Sequence, residues 1–533
     1  MHIENTALMM VLFLMACKPQ EIKLPAIIPK PNHIQILEGR FNFKNCETIY
    51  YHQDEVAESA QLLQNLLGGH GLDYKLVKGE INNKGISLII PDEESVDRNT
   101  HIINVESKYI EVKAHTIKDL KYGIQTINQL AFFSEENDFY VPCLRIADKP
   151  RFQYRGMHLD VSRHYMPVDF IKKYIDNLSF LKFNYFHWHI VDDQGWRIEI
   201  KKYPELTKVG SVRKETLIGH SGKKPHKYDG VPYGGYYTQE EIKDIIQYAA
   251  LRNVTIIPEI EIPGHSQAAI ASYPFLGCTD DKIEVMTKWG ISPYIYNLED
   301  TTFEFLFNVF DEVASLFPGK YIHIGGDEAI KDQWKASRRI NNQMKELGIE
   351  DFEELQSYFI NRIADHLAKK GKQIIGWDEI IEGSIRSDAI VMYWRSWLDE
   401  NIALKAAKKG HQVILTPTSH YYFDYYQSED KENEPLAIGG FIPLDSVYLH
   451  DPVPENFDSA YLGKILGGQS NVWTEYMPTP EHVEYMVFPR ILALSEVSWT
   501  ENNKRDFTDF LIRLKEFEHY FRKFNINYAK HYY

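Results

Sequence analysis

The sequence predicts an α/β chain: a (β/α)8 TIM barrel over residues 149–500, preceded by a small α+β domain over 33–148. Two observations carry this. Beyond Asp148-Lys149-Pro150-Arg151, apolar runs of strand length alternate with amphipathic helical stretches, and there are eight such runs. Strand-helix alternation implies parallel strands joined by crossover helices, and eight units close as a barrel. Upstream of that boundary the regularity is lost. The chain, at 533 residues, is also too long for one ordinary domain.

The elements follow in order. Thr6 to Ala16 is an apolar run, too short to span a membrane and of the length of a secretory leader. Leu14-Met15-Ala16-Cys17 is similar to a bacterial lipoprotein cleavage box. Residues 1–17 are thus expected to be a leader, Cys17 the lipidated residue, and 18–32 a Pro- and Lys-rich linker. Lys18 after the cysteine favours the outer membrane. The expected location is the outer membrane or periplasm, with any membrane contact made through the lipid. In 33–148, Ile86 to Ile90 and Tyr109 to Val112 read as strands. Leu120, Ile124, Ile127 and Leu130 recur at helical spacing. The eight barrel runs are 152–160, 183–193, 254–261, 321–328, 373–379, 389–395, 412–418 and 465–473. Helical stripes follow the early ones, first through Phe170, Ile171, Tyr174, Ile175, Leu178 and Leu181, then over 240–251, 303–317 and 355–367. A last amphipathic helix, Phe507 to Phe524 within 501–533, is expected to pack on the barrel.

Composition narrows the function. The formal charge is −16, which argues against nucleic acid and against a basic membrane-binding patch. Beyond Cys17, the cysteines Cys46, Cys143 and Cys278 form neither a disulfide framework nor a metal cluster. Nine Trp, 34 Tyr and 28 Phe supply aromatic faces of the kind that stack on sugar rings.

Barrel active sites lie at the C-terminal strand ends. There the sequence places Asp160 and Arg163, Asp192 and Asp193, His265, Asp327 and Glu328, Trp377-Asp378-Glu379, Trp394-Arg395, Tyr421, Tyr422 and Asp424, and Trp473 and Glu475. Acids and tryptophans at nearly every strand end are hard to explain by packing, because a barrel core favours branched aliphatics. A Trp- and Tyr-walled pocket with acids at its floor suits a sugar. Within Y-I-H-I-G-G-D-E-A (321–329), the acidic pair has a plain alternative as a helix cap and first turn. Most glycosidases place two carboxyl groups on either side of the scissile bond. Adjacent residues of an extended segment point opposite ways. Asp327 and Glu328 therefore read as a poor acid–nucleophile pair, which favours a mechanism without an enzyme nucleophile.

Six stretches resemble one family. R-G-M-H-L-D-V-S-R-H-Y (155–165), F-H-W-H-I-V-D-D-Q-G-W-R (186–197), P-E-I-E-I-P-G-H (258–265), H-I-G-G-D-E-A (323–329), W-D-E (377–379) and N-V-W-T-E (471–475) are similar to glycoside hydrolase family 20, the β-N-acetylhexosaminidases. The likeness runs from about residue 85 to 500, and 106–130 matches the small domain that precedes the barrel in that family.

The resemblance implies exo-acting removal of terminal β-linked GlcNAc or GalNAc with retention and no cofactor or metal. The partner is an oligosaccharide or glycoconjugate that ends in a β-N-acetylhexosamine. Glu328 is then the general acid, and the substrate's 2-acetamido oxygen is the nucleophile. Asp327 orients the acetamido group, and Asp192 with His265 supports Glu328. Tyr422 donates to the acetamido oxygen, with Tyr421 as the one-residue alternative, as Asp193 is for Asp192. Trp377, Trp394 and Trp473 wall the acetamido methyl. Arg155 holds the 3- and 4-hydroxyls, and Glu475 and Asp424 the 4- and 6-hydroxyls. His158 and Arg163 also sit in a family motif, with loop bracing as their plain alternative. Two rivals stand beside this reading. His187 and His189 share a strand face and, with Asp192 and His265, could hold a metal. A lipoprotein that binds glycans without cleaving them would also use a Trp-lined site.

Overall fold

The computed structural model describes residues 25–80, 84–91, 96–279, 281–398 and 401–533. The leader and Cys17 lie outside the described residues. Among those described, no helix is long and apolar enough to cross a membrane.

The first part is a seven-stranded mixed sheet. Its strand order is His33–Asn42, Tyr140–Asp148, His101–Val105, Tyr109–Ala114, Gly85–Ile89, Thr48–Tyr51, Lys75–Lys78. Helix Ile117–Ser134 starts at Thr116, whose hydroxyl accepts from Asp119 N. The Leu120-Ile124-Ile127-Leu130 stripe faces the sheet core, yet the opposite face is buried as well. That face meets the barrel: Gln125 Nε2 donates to Ser179 Oγ at 2.8 Å, and Gln129 Nε2 to Phe180 O at 2.8 Å.

The barrel is closed and parallel. Its strands are β1 Tyr154–Asp160, β2 Tyr185–His189, β3 Thr255–Ile262, β4 Tyr321–Gly325, β5 Gln373–Trp377, β6 Ile390–Tyr393, β7 Val413–Leu415 and β8 Ile465–Ser470. Seven lie within their predicted runs, and β3 overruns its run, 254–261, by one residue at Ile262. β8 pairs back to β1, Gly467 against Tyr154, which closes the ring. Full helices follow most strands. After β5 there is only the 3-10 turn Asp378–Ile381, because the chain re-enters the barrel at Ile390. Helix Phe507–Lys523 starts at Asp506, whose carboxylate accepts from Thr508 N and Asp509 N. It packs by Tyr520, stacked on Phe180 at 4.4 Å, and by Arg513, which forks onto Glu496.

The barrel interior is layered, and only its lowest layer is mostly apolar. Tyr154, Ile257, Ile375, Ile390, Met392 and Ile414 fill the bottom. Above them sit His158, His187, His323, Glu259 and Gln469, all fully buried. Polar groups at that depth need partners. Glu259 Oε1 accepts from Trp377 Nε1 at 2.9 Å and lies 2.7 Å from His323 Nδ1, while Oε2 lies 3.0 Å from His187 Nε2. This polar layer is the base on which the pocket stands.

Candidate active site

The pocket opens at the C-terminal ends of the strands and has a volume of about 280 Å³. Trp377 ends β5 and is held by Glu259. Trp394 follows β6, with its Nε1 donating to Glu379 Oε2 at 2.9 Å. Trp473 follows β8. The three indoles form a box, with ring centroids 6.3 Å apart for Trp377–Trp394 and 5.8 Å for Trp377–Trp473. Tyr422 stacks parallel to Trp394 at 6.2 Å and completes the box. Tyr421 points away instead, edge-on to His450. The one-residue ambiguity thus falls to Tyr422.

The glycine pair before Asp327 now has a reason. Gly325 sits at φ +65° and Gly326 at φ +95°. A Cβ on Gly325 would fall 1.6 Å from Glu261 Oε2, and one on Gly326 would fall 2.6 Å from Ile380 Cγ2. Only glycine fits that backbone at both positions. Glu328 continues the reversal at φ +51°. The capping alternative fails, because the next helix starts at Asp332 with Lys331 before it.

The same reversal corrects the directional argument from the sequence. The segment leaves the extended conformation at Gly325, so Asp327 and Glu328 do not point opposite ways. Both face His265: Nε2 is 3.6 Å from Asp327 Oδ2 and 3.5 Å from Glu328 Oε2. Asp327 is buried at the pocket base, and its Oδ1 has no hydrogen-bond partner among the described residues. Burial pushes its carboxyl up to about 7; His265 opposes this, and Glu328 and Glu259 reinforce it. The Glu328 side chain is about three times as exposed, at 33% against 11%.

His265 Nδ1 lies 3.2 Å from Asp192 Oδ1 and 3.3 Å from Asp193 Oδ2. Asp192 lines the pocket, whereas Asp193 accepts from Gln267 N and serves the loop. Burial alone would lower the His265 pKa, but Asp192, Asp193 and Glu328 hold it well above the ordinary value. Burial alone would raise Asp192; Arg163 and His265 outweigh it and hold the group ionised.

Arg155 is not in this pocket. It is the second residue of β1, so it lies at the N-terminal end of the barrel. Its neighbours Tyr154 and Gly156 take the inward positions, which turns Arg155 outward. Its guanidinium donates to Phe152 O at 2.7 Å and Lys182 O at 3.0 Å, and sits over the Tyr122 and Trp499 rings. The arginine of the pocket is Arg163, just beyond the C-terminal end of β1. Its Nη2 meets Asp192 at 2.8 Å, its Nη1 lies 4.0 Å from Glu475, and its guanidinium covers Trp473. Strand position was the signal that distinguishes the two. Glu475 and Asp424 both line the pocket, and burial raises both carboxyls. Asp424 Oδ1 has no hydrogen-bond partner among the described residues. Glu261, within a recognised motif but not singled out there, also lines the floor, and burial beside Asp327 and Glu259 raises its carboxyl. The rim adds Trp397, Ile438 and Tyr476.

Among the described residues, the clusters of possible metal ligands are His158-His187-Glu259, His189-Asp192-Glu261, Asp192-Asp193-His265 and His265-Asp327-Glu328. Hydrogen bonding sets the histidine tautomers. Val472 N donates to His158 Nδ1 and Gln469 Nε2 to His187 Nδ1. Each neutral ring therefore carries its proton on Nε2, the atom turned toward Glu259, and has no lone pair there. His189 and His265 have carboxylates at both nitrogens and are imidazolium ions. These histidines are hydrogen-bond donors, not metal ligands.

Comparison with known proteins places the chain. The family model for the glycosyl hydrolase family 20 catalytic domain matches residues 152–502, and the model for domain 2 of that family matches 24–149. The chain is 40% identical over 526 residues to a beta-hexosaminidase of Porphyromonas gingivalis, covering 95% of this chain and 65% of that protein. A Vibrio furnissii beta-hexosaminidase is 36% identical over 484 residues, covering 88% and 76%. The structure of a beta-N-acetylhexosaminidase from Bacteroides fragilis superposes with a TM-score of 0.81 at 32% identity, covering 94% of this chain and 96% of that one. An exo beta-N-acetylglucosaminidase from Vibrio harveyi, solved with N-acetylglucosamine, gives 0.82 at 33%, covering 96% and 79%. The chain belongs to glycosyl hydrolase family 20.

Proposed function

We propose that this protein is an exo-acting β-N-acetylhexosaminidase that removes terminal β-linked GlcNAc or GalNAc from oligosaccharides or glycoconjugates, with retention. One observation carries the reading: Asp327 Oδ1 is a buried acceptor without a partner among the described residues, inside an aromatic box. A buried acceptor left unmade costs about 1–3 kcal/mol. A 2-acetamido N–H would satisfy it, and the box would hold the methyl group.

The nucleophile is then the acetamido oxygen. An enzyme acid and an enzyme nucleophile flank the anomeric carbon from opposite faces. Asp327 and Glu328 instead share His265, so they stand on one wall. Glu328, the more exposed carboxyl, protonates the leaving oxygen and later deprotonates the incoming water. Asp327 stabilises the positive charge of the oxazolinium intermediate. Tyr422 donates to the acetamido oxygen and holds it for attack. Arg163, Glu475 and Asp424 receive the sugar hydroxyls, and Asp192 holds His265 against Glu328. We further propose export, with Cys17 lipidated; incorporation of labelled palmitate that Cys17→Ser abolishes would support it.

Hydrolysis of chromogenic β-GlcNAc, β-GalNAc and β-glucose glycosides tests the reading, run beside Glu328→Gln. Release from the N-acetyl sugars alone, lost in the variant, is expected. Equal release from β-glucose refutes substrate assistance, because that sugar has no 2-acetamido group. Binding of the N-acetyl sugars without release favours a glycan-binding protein.

A further inference from the structure

His189 ends β2 and is fully buried, and the chemistry above does not use it. Its Nδ1 lies 3.0 Å from Asp160 Oδ1. Its Nε2 lies 3.2 Å from Asp192 Oδ2, 3.5 Å from Glu261 Oε1 and 3.9 Å from Glu259 Oε2. A neutral imidazole has one N–H and one lone pair. Here a lone pair on either nitrogen would face a carboxylate at contact distance, so both nitrogens carry protons. The remaining neighbours are the His158 ring at 5.7 Å, the Trp473 ring edge-on at 5.0 Å, and Arg163, which shares Asp160 and Asp192 with His189. Burial alone would lower the His189 pKa; Glu259, Asp160, Asp192 and Glu261 hold it well above the ordinary value.

The groups form a line in which the carboxylates of Asp160 and Asp192 alternate with the His189 and His265 rings and which ends at the acid. Asp160 meets His189, His189 meets Asp192 Oδ2, Asp192 Oδ1 meets His265, and His265 Nε2 meets Glu328. We infer that His189 is a positioning residue for proton donation by Glu328. By occupying Asp192 Oδ2 from below, it and Arg163 leave Oδ1 as the oxygen that fixes the His265 ring against the acid. The inference rests on the proposed role of Glu328.

The test is kcat/KM for the wild type and His189→Gln over a series of β-GlcNAc glycosides whose leaving groups run from 2,4-dinitrophenoxide to methoxide. General acid catalysis is worth about 10²–10⁴-fold. His189→Gln is expected to lose roughly 10-fold to 100-fold with methoxide but only a few-fold with dinitrophenoxide, which departs without a proton. A uniform loss across the series, or none, overturns the inference while leaving the enzyme's activity established. A wild type inactive on every glycoside overturns the acid role itself, and the inference with it. Neutron diffraction of the wild type at pH 7 needs no variant: deuterium on both His189 nitrogens is expected, and a bare nitrogen overturns the inference.

Discussion

Replacing Asp327 with Asn should stabilise the protein at alkaline pH while removing its activity. The carboxyl lies near 7 in the fold, against an ordinary 3.8. Below pH 3.8 it is protonated in both folded and unfolded chains and contributes no difference. As pH rises from there to 7, the unfolded chain releases the proton and the folded one keeps it. Stability therefore falls through that window and levels off above it. At 1.36 kcal/mol per unit the cost is about 2 kcal/mol at pH 5 and about 4 kcal/mol at pH 8. Asn has nearly the same shape and never ionises, so it escapes the cost. The urea-unfolding free energy of Asp327→Asn relative to the wild type should grow by about 3 kcal/mol between pH 5 and pH 8. A difference that stays flat, or shrinks with pH, would show that Asp327 is ionised in the free enzyme and that the burial argument is wrong. The buried charge is the cost of a site built to meet a cation, in keeping with the stability lost at active sites elsewhere.

Four further outcomes separate structure from chemistry. Arg155→Met should cost about 2–4 kcal/mol of stability through its lost carbonyl and ring contacts, with KM unchanged. Arg163→Met should instead depress kcat/KM at least tenfold, since it strips the cation from Asp192 and Glu475; equal kinetics for the two would return the sugar-binding role to Arg155. Gly325→Ala should lose more than about 3 kcal/mol and nearly all activity, because its methyl overlaps Glu261 at a positive φ; a well-folded, active Ala variant would refute the reading of the glycine pair. Dialysis against EDTA should leave activity intact, and a loss restored by zinc would overturn the histidine tautomers assigned above.

Much of this was legible in the chain. The eight apolar runs lie on the eight barrel strands, because strands of a parallel sheet are covered on both faces and so are mostly apolar. The pocket Trp residues were legible for a related reason: large aromatics at strand ends do not fit the branched-aliphatic layers of a barrel. Two expectations failed where sequence spacing stood in for backbone direction. Arg155 was assigned by its place in a motif, although its position in β1 turns it outward at the wrong end. Asp327 and Glu328 were read as opposed because the segment was taken as extended, whereas two glycines and Glu328 reverse it.

The sequence by itself determined the barrel, the strand ends at which chemistry collects, and the residue types of the site. Those follow from local periodicity and from the cost of placing charge and indole where aliphatics belong. Only the tertiary structure decided which arginine, which tyrosine and which of Asp192 and Asp193 faces the pocket. It also decided the protonation of the buried histidines. Both depend on contacts between residues far apart in the chain, such as Val472 with His158 or Asp192 with His265, and on a backbone turn that no spacing rule encodes.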